Sequence, residues 1–320
     1  MTSGKNTPKE HKKQMIKDYL GGATAKEAAS KFGYSYMACF LALRQYGIQS
    51  RGRSEAHRKY AVNENYFDRI DTEEKAYWLG FLSADGTILP QYILLRLAVK
   101  DKEHVYKFAH ALESEHPITV RDAKACGKTY KFVGIRIGSS KLAKSLIQLG
   151  VTPNKSLTIS PCDKISLELM RHYWRGVFDG DGSISFSYNK GGGSLRCNLS
   201  LTCSKAMIYG FRDFVLEFVK FKTKPYPDKN VYSITFGGVP LPQKIIRLLY
   251  AESHVYLERK KKLAGKLLAL PIQRVNRSNV TQEDLENLYD KFGTWKKVAN
   301  HMGTATSVLW RIRKCMGLLQ

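Results

Sequence analysis

Two aspartates stand out for their surroundings. Asp85-Gly86 closes the stretch YWLGFLSADGTI, which begins at Tyr77, and Asp181-Gly182 closes YWRGVFDGDGSI, which begins at Tyr173. Both follow the pattern Tyr-Trp-x-Gly-x-x-x-x-Asp-Gly-x-Ile. Read as helices, the copies place Leu79, Gly80 and Ala84, and Gly176 and Gly180, about one turn apart along a stripe of mostly small residues. Glycine is a poor helix former, so close contact between the two helices must compensate. Each helix would end on its aspartate, with the following glycine in a left-handed C-terminal conformation. Two carboxylates side by side at two helix C-termini repel each other and the carbonyl dipoles. A divalent cation removes that difficulty, and Mg²⁺ accepts one or two carboxylates with phosphate and water completing its shell. On a basic chain this is the chemistry of metal-assisted phosphodiester hydrolysis.

The elements around the motifs also repeat. After the first motif come strand-like TILPQ and YILLRLAVK, a helix at KEHVYKFAHALES, strands at ITVRDA and YKFVGIRI, and a helix at KLAKSLIQLG. After the second come SISFSY, LRCNLSLTC, a helix at AMIYGFRDFVLEFV, strand-like KTKPY and VYSITF, and a helix at PQKIIRLLYAE. Each half reads helix-strand-strand-helix-strand-strand-helix, which suggests a duplicated pair meeting about a pseudo-two-fold axis.

The stretches WLGFLSADG (Trp78–Gly86) and WRGVFDGDG (Trp174–Gly182) resemble the signature of the LAGLIDADG homing endonucleases, with similar element order from near Asp71 to near Leu257. The resemblance implies an α+β fold in which two pseudo-symmetric αββαββα halves form a β-saddle for the DNA major groove. Two motifs in one chain resemble the family's monomeric branch. The implied activity is site-specific double-strand cleavage across the minor groove, one phosphodiester per strand, leaving short 3′ overhangs at a long asymmetric site. It implies Asp85 and Asp181 as catalytic metal ligands, with Ala84 and Gly180 as further metal-binding residues, and Mg²⁺ as cofactor. Mn²⁺ would substitute, and Ca²⁺ would support binding without cleavage. Lys100, at the end of the second strand, lies near where the family often places a basic residue in the active centre, and is a third catalytic candidate. One departure is Ser83, where the signature has its first aspartate; the second copy keeps it as Asp179. The expected effect is on packing rather than on metal binding. Rival readings on the same fold are an RNA maturase and a non-catalytic DNA-binding transcription regulator. Intact Asp85 and Asp181 favour the nuclease.

Strand alternation nominates the DNA-reading residues. In LRCNLSLTC, Arg196, Asn198, Ser200 and Thr202 form a row of donors and acceptors suited to base edges. Ser183, Ser185, Ser187 and Asn189 form a second row, and Tyr92, Arg96 and Lys100 share a face. Arg121, Lys131, Lys222 and Lys224 are further candidates.

The ends repeat independently. AASKFGYSYMACFLALRQYGI matches VANHMGTATSVLWRIRKCMGL without a gap, pairing Gly47 with Gly317, Phe40 with Trp310 and Arg44 with Lys314. Thr24-x-x-Glu27 is a capping box and Thr281-x-x-Asp284 a near variant. Each end reads as a helix-turn-helix, with recognition helices over Tyr34–Tyr46 and Thr304–Met316. Tyr36, Arg44, Arg311, Arg313 and Lys314 are candidate DNA contacts there, while Phe40 and Trp310 suggest core. Arg51 and Arg53 extend the basic set. The expected domains are therefore 1–53 helix-turn-helix, 54–70 basic linker, 71–165 and 166–257 the two halves, 258–279 basic linker, and 280–320 helix-turn-helix.

Composition agrees. There are 52 Lys and Arg against 28 Asp and Glu, a formal net charge of +24, which calls for a polyanion partner, double-stranded DNA before membrane. No run reaches the roughly 18 apolar residues of a membrane span, and the N-terminus has no apolar signal core, so a cytoplasmic location is expected. The six cysteines form no CxxC pair, which argues against zinc and for reduced thiols.

Overall fold

The computed structural model describes residues 7–50, 59–125, 127–188, 195–271, 280–302 and 304–318. The chain divides into two compact units, Met1–Ala61 and Val62–Gln320. In the first, α1 (Lys9–Leu20), α2 (Ala25–Ser30) and α3 (Tyr36–Gln45) close on a small core that includes Met15, Tyr19, Ala28 and Leu43. The expected capping box is formed: Thr24 Oγ1 accepts from the Glu27 amide at 3.1 Å, and Glu27 Oε2 accepts from the Thr24 amide at 2.8 Å.

The second unit carries the repeat. Its first half is α4 (Glu73–Asp85), β1 (Gly86–Leu89), β2 (Tyr92–Ala98), α5 (Lys102–Ala111), β3 (Ile118–Ala125), β4 (Lys128–Ile137) and α6 (Ser140–Gln148). Its second half is α7 (Leu167–Asp181), β5 (Gly182–Tyr188), β6 (Leu195–Cys203), α8 (Lys205–Phe218), β7 (Tyr226–Asp228), β8 (Val231–Gly238) and α9 (Pro240–Tyr250). The two antiparallel sheets have the same order, β1-β2-β4-β3 and β5-β6-β8-β7. The fold is α+β, with two αββαββα halves. Alternation places the strands as the pattern demands: Cys197, Leu199 and Leu201 are buried, while Arg196, Asn198 and Thr202 are exposed.

Helix α4 is buried on every side from Ala76 to Ser83, as a helix without a polar face must be. Its partner is α7. A Cβ on Gly80 would overlap the Tyr173 carbonyl and lie 3.1 Å from the Val177 amide nitrogen. A Cβ on Gly176 would overlap the Tyr77 carbonyl and lie 2.7 Å from the Phe81 nitrogen. The contact is reciprocal, glycine of one motif on tyrosine backbone of the other. Two side-chain ties cross the same seam. The fully buried Arg175 donates to Glu73 at 2.7 Å, and the Tyr77 hydroxyl donates to Asp179 at 2.8 Å.

Gly86 and Gly182 depart from expectation. Their φ angles are −73° and −78°, not left-handed. Glycine is needed there for space: a Cβ on Gly86 would sit 2.6 Å from the Leu82 carbonyl oxygen, and one on Gly182 would sit 2.5 Å from that of Phe178. The segment expected as a basic linker from residue 258 instead begins with helix α10 (Glu258–Leu268), which buries Lys260, Ala264 and Leu267 against the core. Likewise Tyr66 and Phe67, in the stretch expected as the first linker, are buried in the main core. KTKPY contributes only Tyr226 to a strand, so Lys222 and Lys224 lie in coil. Further along, α11 (Gln282–Phe292), α12 (Trp295–His301) and α13 (Thr306–Cys315) enclose Leu285, Val298, Leu309 and Ile312. Among the described residues, no helix is long and apolar enough to cross a membrane.

The seam makes a sharp prediction. Gly176→Ala should lower stability by about 3 kcal/mol or more, because backbone on both sides must move. Gly265→Ala, on α10 with open space around it, should be neutral or stabilising by up to about 1 kcal/mol. Denaturant midpoints check both, and equal midpoints for the two variants would contradict the close contact.

Candidate active site

The helix seam ends at the two motif aspartates, Asp85 closing α4 and Asp181 closing α7. The close approach continues to this end. A Cβ on Gly180 would overlap the Ala84 side chain and lie 3.3 Å from Asp85 Oδ2. Burial, the larger effect, and neighbouring Asp181 push the Asp85 carboxyl up to about 6, against the pull of Lys260, Lys155 and Arg259. Asp181 is also raised, chiefly by burial, while Lys155 and the Cys203 thiol favour its anion. Two carboxylates at two helix C-termini, Asp85 exposed and Asp181 half-buried, therefore share one locus.

Two lysines flank it. Lys155 follows α6 on a short 3-10 turn and donates to the Ala84 carbonyl at 3.1 Å. Lys260, on α10, is 2% exposed. It donates to the Phe178 carbonyl at 2.8 Å and to that of Gly182. Each ammonium thus sits on C-terminal carbonyls of a motif helix, where the dipole favours a cation. Burial pulls Lys260 down to about 8, although Asp179, Asp85 and Asp181 oppose it. Sequence reasoning missed both. Lys155 lay outside any motif, and Lys260 lay in what read as linker. A signal existed, since both follow the last helix of a half at similar distances from the motif aspartate. Lys100, nominated instead, stands on the 3-10 turn after β2 and lines a cavity with Asp101 and Arg259. It is not among the cations that act most strongly on either aspartate.

The donor set fits a hard cation. Among the described residues, no cluster of three or more His, Cys, Asp or Glu side chains forms. A cation here would be held by Asp85 and Asp181, with water, phosphate or main-chain oxygens completing its shell. Of the residues beside them, Ala84 already has its carbonyl engaged by Lys155, and Gly180 is packed into the seam.

The outward sheet faces differ between halves. In the second, Ser183, Ser185 and Ser187 lie opposite Ser200, Asn198 and Arg196, and Thr202 lies opposite Ser233 at 2.6 Å between hydroxyls. Thr235 and Tyr226, linked at 3.1 Å, extend that face and were not foreseen. In the first half the face is basic and aromatic. Arg96 lies over Phe132, and Arg136, also unforeseen, lies 3.9 Å over the Tyr92 ring. Arg121 pairs with Phe132 and shares that face, whereas Lys131 pairs with Asp122 and falls on the opposite one. Tyr36 and Arg44 are exposed on α3, and Arg311 and Lys314 on α13. Arg313 is not free to reach outward: its guanidinium stacks 3.8 Å from the Trp295 ring centre. Trp310, expected in the core, is 50% exposed beneath Lys314. Asn189, Arg51 and Arg53 lie outside the described residues. Among the described residues, Cys39, Cys162, Cys197 and Cys203 are buried and Cys315 is exposed.

Two αββαββα halves meeting through their motif helices form a LAGLIDADG-like arrangement. No family model and no curated protein sequence matches the chain. Solved structures similar to it include full-length DUF199/WhiA from Thermatoga maritima, at 14% identity over 79% of this chain and 93% of that one, TM-score 0.41. They also include the homing endonuclease I-WcaI bound to its DNA recognition sequence, at 15% identity over 65% and 92%, TM-score 0.42. The meganuclease I-SmaMI bound to uncleaveable DNA is similar at 12% identity over 68% and 96%, TM-score 0.44. What the site can do follows from this chain's own residues.

Asp85 gives a pH dependence whose sign is set by burial. Its folded pKa, about 6, lies above the ordinary 3.8, so protonation favours the folded state. Its contribution is fully present below pH 3.8 and lost as pH rises through about 6. In chelator, Asp85→Asn should therefore be more stable than the parent at pH 7, by much less than the full shift would give, because Asp85 is exposed and solvent screens its charge. The difference should vanish near pH 4. Urea midpoints at the two pH values decide; no gain at pH 7 would show Asp85 to be well solvated.

Proposed function

We propose that the chain is a site-specific double-strand DNA endonuclease using Mg²⁺. The observation that carries this reading is the pair of aspartates brought to one locus by a backbone-on-backbone helix seam, with a buried lysine on each side. Asp85 and Asp181 would hold the cation. When bound, Mg²⁺ supplies charge neutralisation at the scissile phosphate and acidifies the attacking water. Lys155 and Lys260, fixed on helix carbonyls, face the same locus with positive charge and favour the phosphate's extra negative charge at the transition state. Mn²⁺ is expected to substitute, and Ca²⁺ to support binding alone.

The partner is double-stranded DNA. The excess of +24 supplies affinity through phosphate contacts. The two outward faces supply base contacts, and their difference suits an asymmetric site read by one monomer. Arginines dominate the first face; hydroxyls and Asn198 dominate the second. The three-helix units at the ends are read as helix-turn-helix modules. They would add backbone contacts through Arg44, Arg311 and Lys314 and raise affinity by effective concentration.

Incubating the protein and Mg²⁺ with genomic DNA of its source, then sequencing new ends, tests this directly. Discrete paired breaks with short 3′ overhangs are expected. Asp85→Asn or Asp181→Asn should abolish double-strand breaks and keep binding in a gel-shift assay, and Lys260→Met should slow cleavage by about 100-fold. Specific binding without breaks in either Mg²⁺ or Mn²⁺ would overturn the assignment.

A further inference from the structure

Between α5 and α10 lies a cavity of about 730 Å³, within the range of small-molecule sites. Leu257 and Leu263 give it an apolar wall. Five cations line it, two of them already paired: Arg259 with Asp101 at 3.1 Å and Lys107 with Glu258 at 3.0 Å. Among the described residues, the other three, Lys100, Lys262 and Lys266, have no carboxylate partner. They give one side of the cavity an uncompensated positive charge.

His104 lines the same cavity and is 3% exposed. The Tyr77 hydroxyl gives its proton to Asp179, so its oxygen accepts from His104 Nε2 at 2.9 Å. Burial holds the imidazole pKa down at about 3, so the ring is neutral. With the proton on Nε2, Nδ1 is a bare acceptor, and it is shielded from bulk water with no partner. A buried unpaired acceptor is costly; Nδ1 has almost no surface open to the cavity, so a donor reaches it once the side chains covering it shift.

We propose that this cavity binds a nucleoside monophosphate. The base lies on Leu257 and Leu263 and presents an N–H toward His104 Nδ1, while the phosphate is held by Lys100, Lys262 and Lys266. A bare anion would leave the apolar wall and Nδ1 unused, and an apolar molecule would leave the lysines unused. The proposal makes no use of Asp85 or Asp181, so it stands or falls apart from the nuclease reading.

Calorimetry on the full chain in chelator tests it, with AMP as the probe and adenosine and inorganic phosphate as comparisons. AMP should bind with a Kd below about 1 mM, and each comparison at least about tenfold more weakly. Lys262→Glu with Lys266→Glu, both exposed on α10, should cost at least about tenfold in affinity. His104→Phe, which keeps a ring beside Trp78 and Phe81, should weaken AMP several-fold. Asp85→Asn with Asp181→Asn should leave AMP binding unchanged, separating this cavity from the metal locus. No heat with AMP, equal affinity for phosphate and AMP, or binding untouched by the paired lysine reversal would each overturn the proposal.

Discussion

The contact of Gly80 on the Tyr173 backbone, mirrored by Gly176 on that of Tyr77, is the constraint on which the rest depends. It brings two helices closer than side chains would allow. That proximity sets both aspartates at one locus and fixes the relation of the two sheets. It also explains the poor helix formers in the motif. The conformational cost of glycine is offset by dispersion and burial along a seam walled by Trp78, Phe81, Trp174 and Phe178, all nearly inaccessible. The electrostatic cost at the seam's end is reduced by Lys155 and Lys260 and falls further with a divalent cation.

The halves are alike in topology and unlike in their supports. Asp179, 1% exposed, accepts from Tyr77 of the other half, from Tyr250, and from the Leu257 amide at 2.7 Å. Leu257 starts α10, so one buried carboxylate ties both motif helices to the segment that carries Lys260. At the matching position Ser83 donates to the Leu79 carbonyl of its own helix, at 2.8 Å, and makes no tie to the segment that carries Lys155 among the described residues. Lys155 stands on the 3-10 turn Lys155–Leu157 and reaches the Ala84 carbonyl from there.

Periodicity made most of this readable. The strict alternation of LRCNLSLTC gave both the strand and its outward row, and the repeated motif gave the helix seam and both aspartates. Features resting on long-range contact were not readable. ERKKKLAGK looks like a solvated basic linker because its charge hides a narrow apolar stripe, Leu257, Ala264 and Leu267. Only the folded core shows that Lys260 belongs to the site. Gly86 and Gly182 looked like left-handed helix ends, since sequence cannot tell a conformational need for glycine from a steric one. Lys131 was a candidate without an assigned face because its strand alternates poorly, and only its pairing with Asp122 shows that it lies opposite the face of Arg121. Trp310 was matched to Phe40 by alignment, yet the two sit in different packing environments.

The central claim is that the seam makes one cation site from two aspartates. Mn²⁺ titration followed by electron paramagnetic resonance, on the parent, Asp85→Asn, Asp181→Asn and the double variant, tests it most directly. A shared locus predicts that either single substitution weakens Mn²⁺ binding nearly as much as both together. If each single variant kept half the sites at parental affinity, the two aspartates would be independent, and the account of the seam as the builder of the site would be wrong.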